Sequence, residues 1–265
     1  MATDEVPPID LKTDIAHPAR VYDYWLGGKD NFAADREVAE RALAVAPDMP
    51  RSARSNRQFL KRAVELAAGE GIRQFLDIGS GLPTAENTHQ IAQRTAPGAR
   101  VVYVDNDPIV RVHGEALLAS DASTTVVQGD LRRPEELLSH PQVTALIDFT
   151  QPLALLLLGV LHFVPDDEDP YGLMARLRDA MAPGSYLIFS HITGDADPDK
   201  GRELQEAINR EARATVRTRE EVARFFDGFE ILEPGIVPPD QWRNDGPSDP
   251  DRFWLWTGVG IKRPA

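Results

Sequence analysis

The stretch Gln74–Thr84, QFLDIGSGLPT, constrains this chain more than any other. Phe75, Leu76 and Ile78 form a short apolar run of the kind a buried strand carries, and the run ends in Gly79-Ser80-Gly81. Strand, glycine turn, then helix is the arrangement in which backbone N–H groups face a ligand directly. Glycine is needed where a Cβ would forbid the backbone angles or hold the ligand away. The downstream sequence alternates in the way such a turn requires. Strands are expected at 74–78, 100–105, 124–128, 145–149 and 185–190. Helices are expected at 85–95, 108–119, 134–138, 153–163 and 171–182. This alternation predicts an α/β fold, a mostly parallel sheet with helices on both faces.

Both flanks carry further signals. Residues 1–16 are polar, with Pro7-Pro8, and read as a mobile tail. Residues 17–71 read as a helical cap, with helical patterns at 33–45 and 54–68 separated by Pro47 and Pro50, and residues 72–265 as the sheet domain. After 195 a charged helix is expected at 200–215, its charges marking a solvated face. Thr218 with Glu221 forms a capping box opening a helix to Phe226. Two last strands are expected at 229–232 and 253–261, and the proline-rich loop between them is expected to pack over an edge.

Three strand ends carry acids: Asp77 within the glycine motif, Asp105 at the tip of the second strand, and Asp130 just past the third. Ligands of open α/β sheets sit at these carboxyl ends. An acid ending the second strand can accept both hydroxyls of a ribose. Two details favour S-adenosylmethionine over a dinucleotide. Leu82-Pro83 occupies the place where a pyrophosphate needs room. Asp77 suits a ligand carrying an ammonium and a sulfonium and would repel a diphosphate.

Two other pieces each admit two readings. Tyr22–Asn31, YDYWLGGKDN, is either a helix end with its aromatics in the core or a lid across the ligand. In the lid reading Tyr22, Tyr24, Trp25 and Asn31 cap the cofactor or line the acceptor pocket. Arg54, Asn56 and Arg57 are either a solvated helix start or anion-binding groups at a helix N-terminus.

Charge and composition narrow the partners. The net charge of −13 would repel phosphate backbones, so a nucleic-acid partner is not expected. The chain has no cysteine, which removes disulfides, thiolate metal sites and a cysteine nucleophile, and no metal is expected. The longest uncharged apolar run, 153–164, is shorter than the roughly 20 residues a bilayer span needs. The opening residues lack a signal-peptide pattern. A cytoplasmic protein, monomer or homodimer, is the expectation.

At this point the sequence resembles the class I S-adenosylmethionine-dependent methyltransferases. More narrowly, it resembles an actinobacterial S-adenosyl methyltransferase family once described as a domain of unknown function. The resemblance rests on HPARVYDYWLGGKDNF, RSNRQFL, FLDIGSGLPT, VVYVDNDPIV and LLLLGVLHFVPD, and covers about His17 to Lys262. It implies a Rossmann-like, seven-stranded sheet with its last strand antiparallel, preceded by a helical cap. It also implies cofactor roles: Gly79, Ser80 and Gly81 against the methionine portion, Asp77 on its amino group, and Asp105 on the ribose with Asn106 beside the adenine. Asp130 and Leu131 would take the adenine edge, with Tyr22, Tyr24, Asn31 and Arg54 as further contacts. Arg54 and Arg57 would suit an anionic acceptor.

Methyl transfer gains most of its acceleration from alignment, and a general base helps only if the acceptor keeps its proton. His162, after the fourth strand, is the candidate base; its other reading is a packed histidine on an apolar helix. His191 is a second candidate on the same terms. Three functions stand: a methyltransferase acting on O or N of a small molecule, a methyl-donor-binding sensor without chemistry, and a nucleotide-dependent oxidoreductase.

Overall fold

The computed structural model describes residues 11–83, 86–118, 122–210, 212–249 and 252–264. Most of the expected tail, the first residue of the helix expected at 85–95 and the last of the helix expected at 108–119 therefore lie outside the described residues. Seven strands form one sheet: β1 (Gln74–Ile78), β2 (Arg100–Asp105), β3 (Thr124–Gln128), β4 (Ala154–Leu158), β5 (Tyr186–Ile192), β6 (Phe229–Ile231) and β7 (Leu255–Lys262). Their order is β3-β2-β1-β4-β5-β7-β6. All neighbouring pairs are parallel except those of β7, which runs antiparallel to β5 and β6. Strand order reverses between β1 and β4, the switch point at which sheets of this kind leave a crevice.

The strands alternate strictly between two apolar layers. Leu76, Ile78, Val102, Val104, Leu155, Leu157, Leu187 and Phe189 pack on one face with α6 (Pro134–Ser139), α7 (Pro141–Thr144) and α8 (Pro170–Ala180). Phe75, Val101, Tyr103, Ala154, Leu156 and Ile188 pack on the other, with α3 (Met49–Gly69) and α4 (Thr88–Thr95). α5 (Pro108–Leu118) joins this second face, where Gly114 lies against Val126; a Cβ at Gly114 would fall 2.4 Å from the Val126 side chain.

The fourth strand departs from the expectation. Residues 145–149, read as a strand, follow α7 as a turn, and β4 is Ala154–Leu158, within the run read as a helix. A run of six apolar residues is buried on both faces, so its hydrophobicity carries no period to distinguish strand from helix. Gly159, at φ +69°, ends the strand, and His162 sits on a single 3₁₀ turn, Leu161–Phe163.

Before the sheet come α1 (Pro18–Leu26) and α2 (Ala33–Val45). α3 begins at Met49, with Pro50 in its first turn, where the missing N–H costs nothing. Pro50 thus opens the helix, and residues 54–57 lie past its first turn, not at its N-terminus as expected. The helix packs on β4, β5 and β7 as well as on α1. Asp35 ties these pieces together. Its Oδ1 accepts the His17 N–H at 2.9 Å, its Oδ2 accepts the Phe32 N–H at 2.8 Å, and Arg20 Nε lies 3.4 Å from Oδ1. The same Arg20 Nε lies 3.4 Å from Asp107, at the entry to α5, and Arg20 also donates to the carbonyl of Ile15 at 2.6 Å.

Beyond β5, α9 (Pro198–Ile208) is shorter than the helix expected to 215, and its inner face buries Leu204 and Ile208. Thr218 and Glu221 form the expected capping box at α10 (Arg219–Ala223), with Thr218 N–H donating to Glu221 at 2.8 Å. The proline-rich loop packs on α3 through Trp242, which is fully buried and meets Phe59 edge-on at 5.2 Å. Arg62 clasps the loop through the carbonyls of Pro239 and Trp242. Trp242→Ala should therefore cost about 3–5 kcal/mol of stability, read from urea unfolding midpoints, although no helix or strand contains the residue.

Candidate functional site

A cavity of about 430 Å³ opens at the carboxyl ends of β1–β5, with the N-terminal end of the antiparallel β7 at the same edge. Helical phase decides which flanking residues reach it. Along α1, Val21, Tyr22 and Trp25 line the cavity; along α3, Ala53, Asn56, Arg57 and Leu60 do. Both sets follow the three-and-four spacing of one helix face.

Tyr24 and Arg54 fall off those faces. Tyr24 donates to Glu40 at 3.2 Å, and Arg54 is exposed and away from the cavity. Asn31 also lies elsewhere: its Nδ2 donates to Asp23 at 2.9 Å and to the Gly28 carbonyl at 3.1 Å. Buried Asp23 additionally accepts the Asp30 N–H, and a Cβ on Gly28 would stand 1.9 Å from its Oδ1. The glycines and polar groups of YDYWLGGKDN thus fold around Asp23 as a helix end. Only Tyr22 and Trp25 of the residues read as a lid line the cavity.

The glycine turn is closed by its own hydrogen bonds. Gly79 N–H and Ser80 N–H both donate to the Val104 carbonyl, at 2.7 and 3.3 Å, and Gly81 N–H donates to Asp105 Oδ2 at 2.9 Å. The expected open row of N–H groups is therefore not presented to the cavity, and α4 starts only at Thr88. Among the described residues, the Gly79, Ser80 and Gly81 N–H groups are spent within the protein and no helix begins at this turn, which argues against a dinucleotide. Gly79 is required twice over: its φ is +74°, and a Cβ would stand 2.4 Å from Val160.

Asp77, Asp105 and Asp130 all line this one cavity, as do Asn106 and Leu131. Asp105 is buried, its Oδ1 accepting the Asp107 N–H at 3.0 Å, and burial raises its pKa. Asp77 accepts the Thr88 hydroxyl at 2.7 Å. Burial pushes its pKa up to about 6, against the pull of the Thr88 hydrogen bond and Arg57 and with the charge of Asp105. Asp130 is half-exposed and accepts the Arg132 N–H at 2.9 Å. Asn106 Oδ1 meets His17 Nε2 at 3.1 Å.

The two histidines differ. His191 lies away from the cavity, fully buried, with Nδ1 donating to the Ile192 carbonyl at 2.8 Å and Nε2 accepting from Arg217 at 2.9 Å. His162 lines the cavity, and its buried Nδ1 has no hydrogen-bond partner among the described residues. Burial, then the charge of Arg217, pushes its pKa down to about 3, so the ring is neutral. Among the described residues no group of three or more His, Cys, Asp and Glu is placed to hold a metal ion. No described helix is long and apolar enough to cross a membrane.

Of Arg54, Asn56 and Arg57, read together as candidate binding groups, Asn56 and Arg57 line the cavity and Arg54 does not. The sequence reading passed over the His17–Arg20–Asp35–Asp107 cluster, which joins residues 90 positions apart (17 to 107) and leaves no local pattern.

A nucleoside-sized cavity at the switch point, floored by a closed glycine turn and three acids, has the architecture of a class I S-adenosylmethionine-dependent methyltransferase. The chain belongs to the S-adenosyl methyltransferase family, whose model matches residues 4–263. It is similar to a candidate methyltransferase from Thermobifida fusca YX, with 44% identity, a TM-score of 0.92, and coverage of 98% of this chain and 100% of that one. A DUF574 family protein from Streptomyces avermitilis MA-4680 is 38% identical at a TM-score of 0.92, covering 96% and 100%. The fold recurs in the plantazolicin methyltransferase BamL, at 11% identity, a TM-score of 0.52, and coverage of 93% and 96%. No functionally curated protein matches the chain. The cofactor is S-adenosylmethionine, and the donor set suits it: buried carboxylates facing a cation, and glycine surfaces in place of phosphate-binding amides.

The raised pKa of Asp77 makes two outcomes measurable. Its folded pKa of about 6 exceeds the unfolded value near 4, so it favours folding at low pH and the benefit is lost as pH rises through 6. Asp77→Asn should therefore stabilise the ligand-free protein above pH 7, with the gain vanishing toward pH 4, in urea titrations. In the wild type, affinity for S-adenosylmethionine should fall by about tenfold from pH 7 to pH 5 in calorimetry, as Asp77 takes up a proton.

Proposed function

We propose that the protein transfers a methyl group from S-adenosylmethionine to O or N of a small-molecule acceptor. One observation carries the reading: the cavity does not end at the acids. It continues into an apolar chamber walled by Trp25, Met49, Phe163, Ile192, Ile208 and Leu255, residues of a single packed cluster. With strands spaced about 4.8 Å apart, the chamber under β5 lies roughly 14 Å from the acid ending β2, beyond the reach of one nucleoside head. α1, α2 and α9 wall this half, so it suits a compact acceptor better than a protein or a nucleic-acid strand. The net charge of −13 supports the same choice, and the lack of cysteine suits a reducing cytoplasm.

In this reading Asp105 and Asn106 hold the ribose side, Asp130 and Leu131 the base, and Asp77 with the Gly79–Gly81 turn the amino-acid portion. Bound S-adenosylmethionine supplies a methyl carbon already activated by its sulfonium. The protein's part is to place the acceptor in line, keep water from the apolar half, and keep the acids ionised beside a cation. Tyr22 helps fix the wall between the halves. Its hydroxyl donates to the Ala53 carbonyl at 2.9 Å and receives Asn56 Nδ2 at 3.3 Å.

Incubation with S-adenosylmethionine and a panel of apolar alcohols, phenols and amines should release S-adenosylhomocysteine, with no release from heat-treated enzyme. Turnover confined to protein or RNA acceptors would overturn the small-molecule reading. Asp105→Ala should weaken S-adenosylhomocysteine binding by about tenfold or more, whereas Arg54→Ala should change it less than about twofold. Equal losses in both variants would move the nucleoside away from the β2 edge.

A further inference from the structure

Two residues that line the cavity each carry a buried polar atom with no partner among the described residues: Asn56 Oδ1 and His162 Nδ1. Both residues are more than nine-tenths buried. They flank Gly159, the residue that ends β4: a Cβ there would lie 3.9 Å from Asn56 Nδ2 and 3.8 Å from His162 Cε1, in van der Waals contact with both. β4 stands between β1, which carries the glycine turn, and β5, beneath the apolar chamber. The pair therefore marks the junction of the two halves of the cavity. A buried polar atom without a partner costs free energy, so such a pair points to a ligand group that completes it.

The chemistry of the pair selects that group. Tyr22 spends its proton on the Ala53 carbonyl, so it can only accept from Asn56, which fixes Nδ2 toward Tyr22 and leaves Oδ1 without a partner among the described residues. Asn56 Oδ1 needs a donor. His162 Nδ1 is a donor or an acceptor according to tautomer. A hydroxyl, with one proton and two lone pairs, satisfies Asn56 Oδ1 and either tautomer of His162. A carboxylate has nothing to donate to Asn56. An ammonium would bring a second positive charge near Arg217, which is almost wholly buried and whose acidic partner among the described residues, Asp166, is largely exposed and so screened. The chamber beyond is lined by the apolar surfaces of Trp25, Phe163, Ile192 and Ile208, and Arg213, which also lines the cavity, is paired with Asp167 and Glu168.

We propose that the methyl acceptor is a neutral phenol or alcohol on an apolar skeleton, with its hydroxyl held between Asn56 Oδ1 and His162 Nδ1 and its body in the chamber under β5 and β7. The inference rests on the small-molecule reading above and narrows it to oxygen.

2-Naphthol, 2-naphthoate and 2-naphthylmethylammonium, titrated calorimetrically at pH 7.5, test it, on the free protein and on protein saturated with S-adenosylhomocysteine. The naphthol should bind in both states, at least about tenfold more tightly than either charged probe. Asn56→Leu and His162→Phe should each weaken it about fivefold or more, a change expected for one lost hydrogen bond. Ile208→Trp, which fills the chamber without touching the polar pair, should weaken it about tenfold. Equal affinity for the three probes would overturn the proposal on the wild type alone, whatever the variants do. So would displacement of the naphthol by S-adenosylhomocysteine, which would assign the pair to the cofactor. Failure of S-adenosylhomocysteine to bind, with naphthol selectivity intact, would instead sink the methyl-donor reading and leave the hydroxyl site standing.

Discussion

A guanidinium that is 2% exposed and carboxylates that are 0% and 2% exposed meet at Arg20, Asp35 and Asp107, and the shape of the site depends on that meeting. Taking such groups out of water is costly, and an isolated buried pair often gains little over an apolar contact. What this cluster supplies is position. Asp35 belongs to α2, Arg20 to α1, and Asp107 to the turn that follows Asp105 and Asn106. Removing Arg20 leaves two buried carboxylates without their cation, a loss of about 3–5 kcal/mol in comparable cases. The first two helices are thereby held at one setting over the β2 edge, and the tyrosine and tryptophan of α1 form a cavity wall at a fixed height. His17 extends the same hold to Asn106 and Asp107, with Nδ1 3.2 Å from the latter.

That wall lets the cavity carry opposite electrostatics at its two ends. Under β1 and β2, burial raises the cost of ionising Asp77 and Asp105, the charge of Asp105 adds to it at Asp77, and a cation is what relieves it. Near the end of β4, burial and then the charge of Arg217 keep the His162 ring neutral and disfavour positive charge. Arg217 is itself secured by His191, the Val164 carbonyl and Asp166, and lies over the Phe225 ring. A donor bearing a positive sulfonium suits the first of these fields, and the proposed hydroxyl acceptor would suit the second. Electrostatic preorganisation of this kind needs no mobile group at the reacting atoms.

The sequence made the acid-bearing edge legible because its signals are local. β1, β2 and β3 begin and end where their apolar patterns do, each tip is marked by a glycine or an acid, and Pro108 sits at the start of α5. β4 escaped because ALLLL is apolar throughout and period is the only local evidence separating strand from helix. Within the helices, composition alone grouped Tyr22 with Tyr24 and Arg57 with Arg54, whereas the 100° step per residue turns Tyr24 to the side of α1 away from Tyr22 and leaves Arg54 off the face that Ala53, Asn56, Arg57 and Leu60 share. Asp23 drew no reading of its own from the sequence. It is the centre of its turn because Asp30, Asn31 and Gly28 converge on it in space, which no spacing rule announces. The donor amides of the glycine turn were misjudged for a related reason: whether an N–H faces a ligand or the neighbouring strand depends on where Val104 and Asp105 stand, and that is tertiary information.

The two ends of the cavity rim are secured unequally, and this bears on how ligands pass. On the β2 side the hold is the buried Arg20 cluster, which solvent cannot screen. On the far side, Arg132 and Arg213, both cavity-lining, pair with Glu168, and Arg213 also pairs with Asp167. These groups are half-exposed or exposed, and pairs of that kind contribute little because water and salt compete for both partners. Arg132 adds a bond to the Phe163 carbonyl at 2.7 Å, on the turn that carries His162. The pairs that solvent weakens most therefore stand beside the turn that carries His162, whereas the buried cluster at the β2 edge is shielded from that competition.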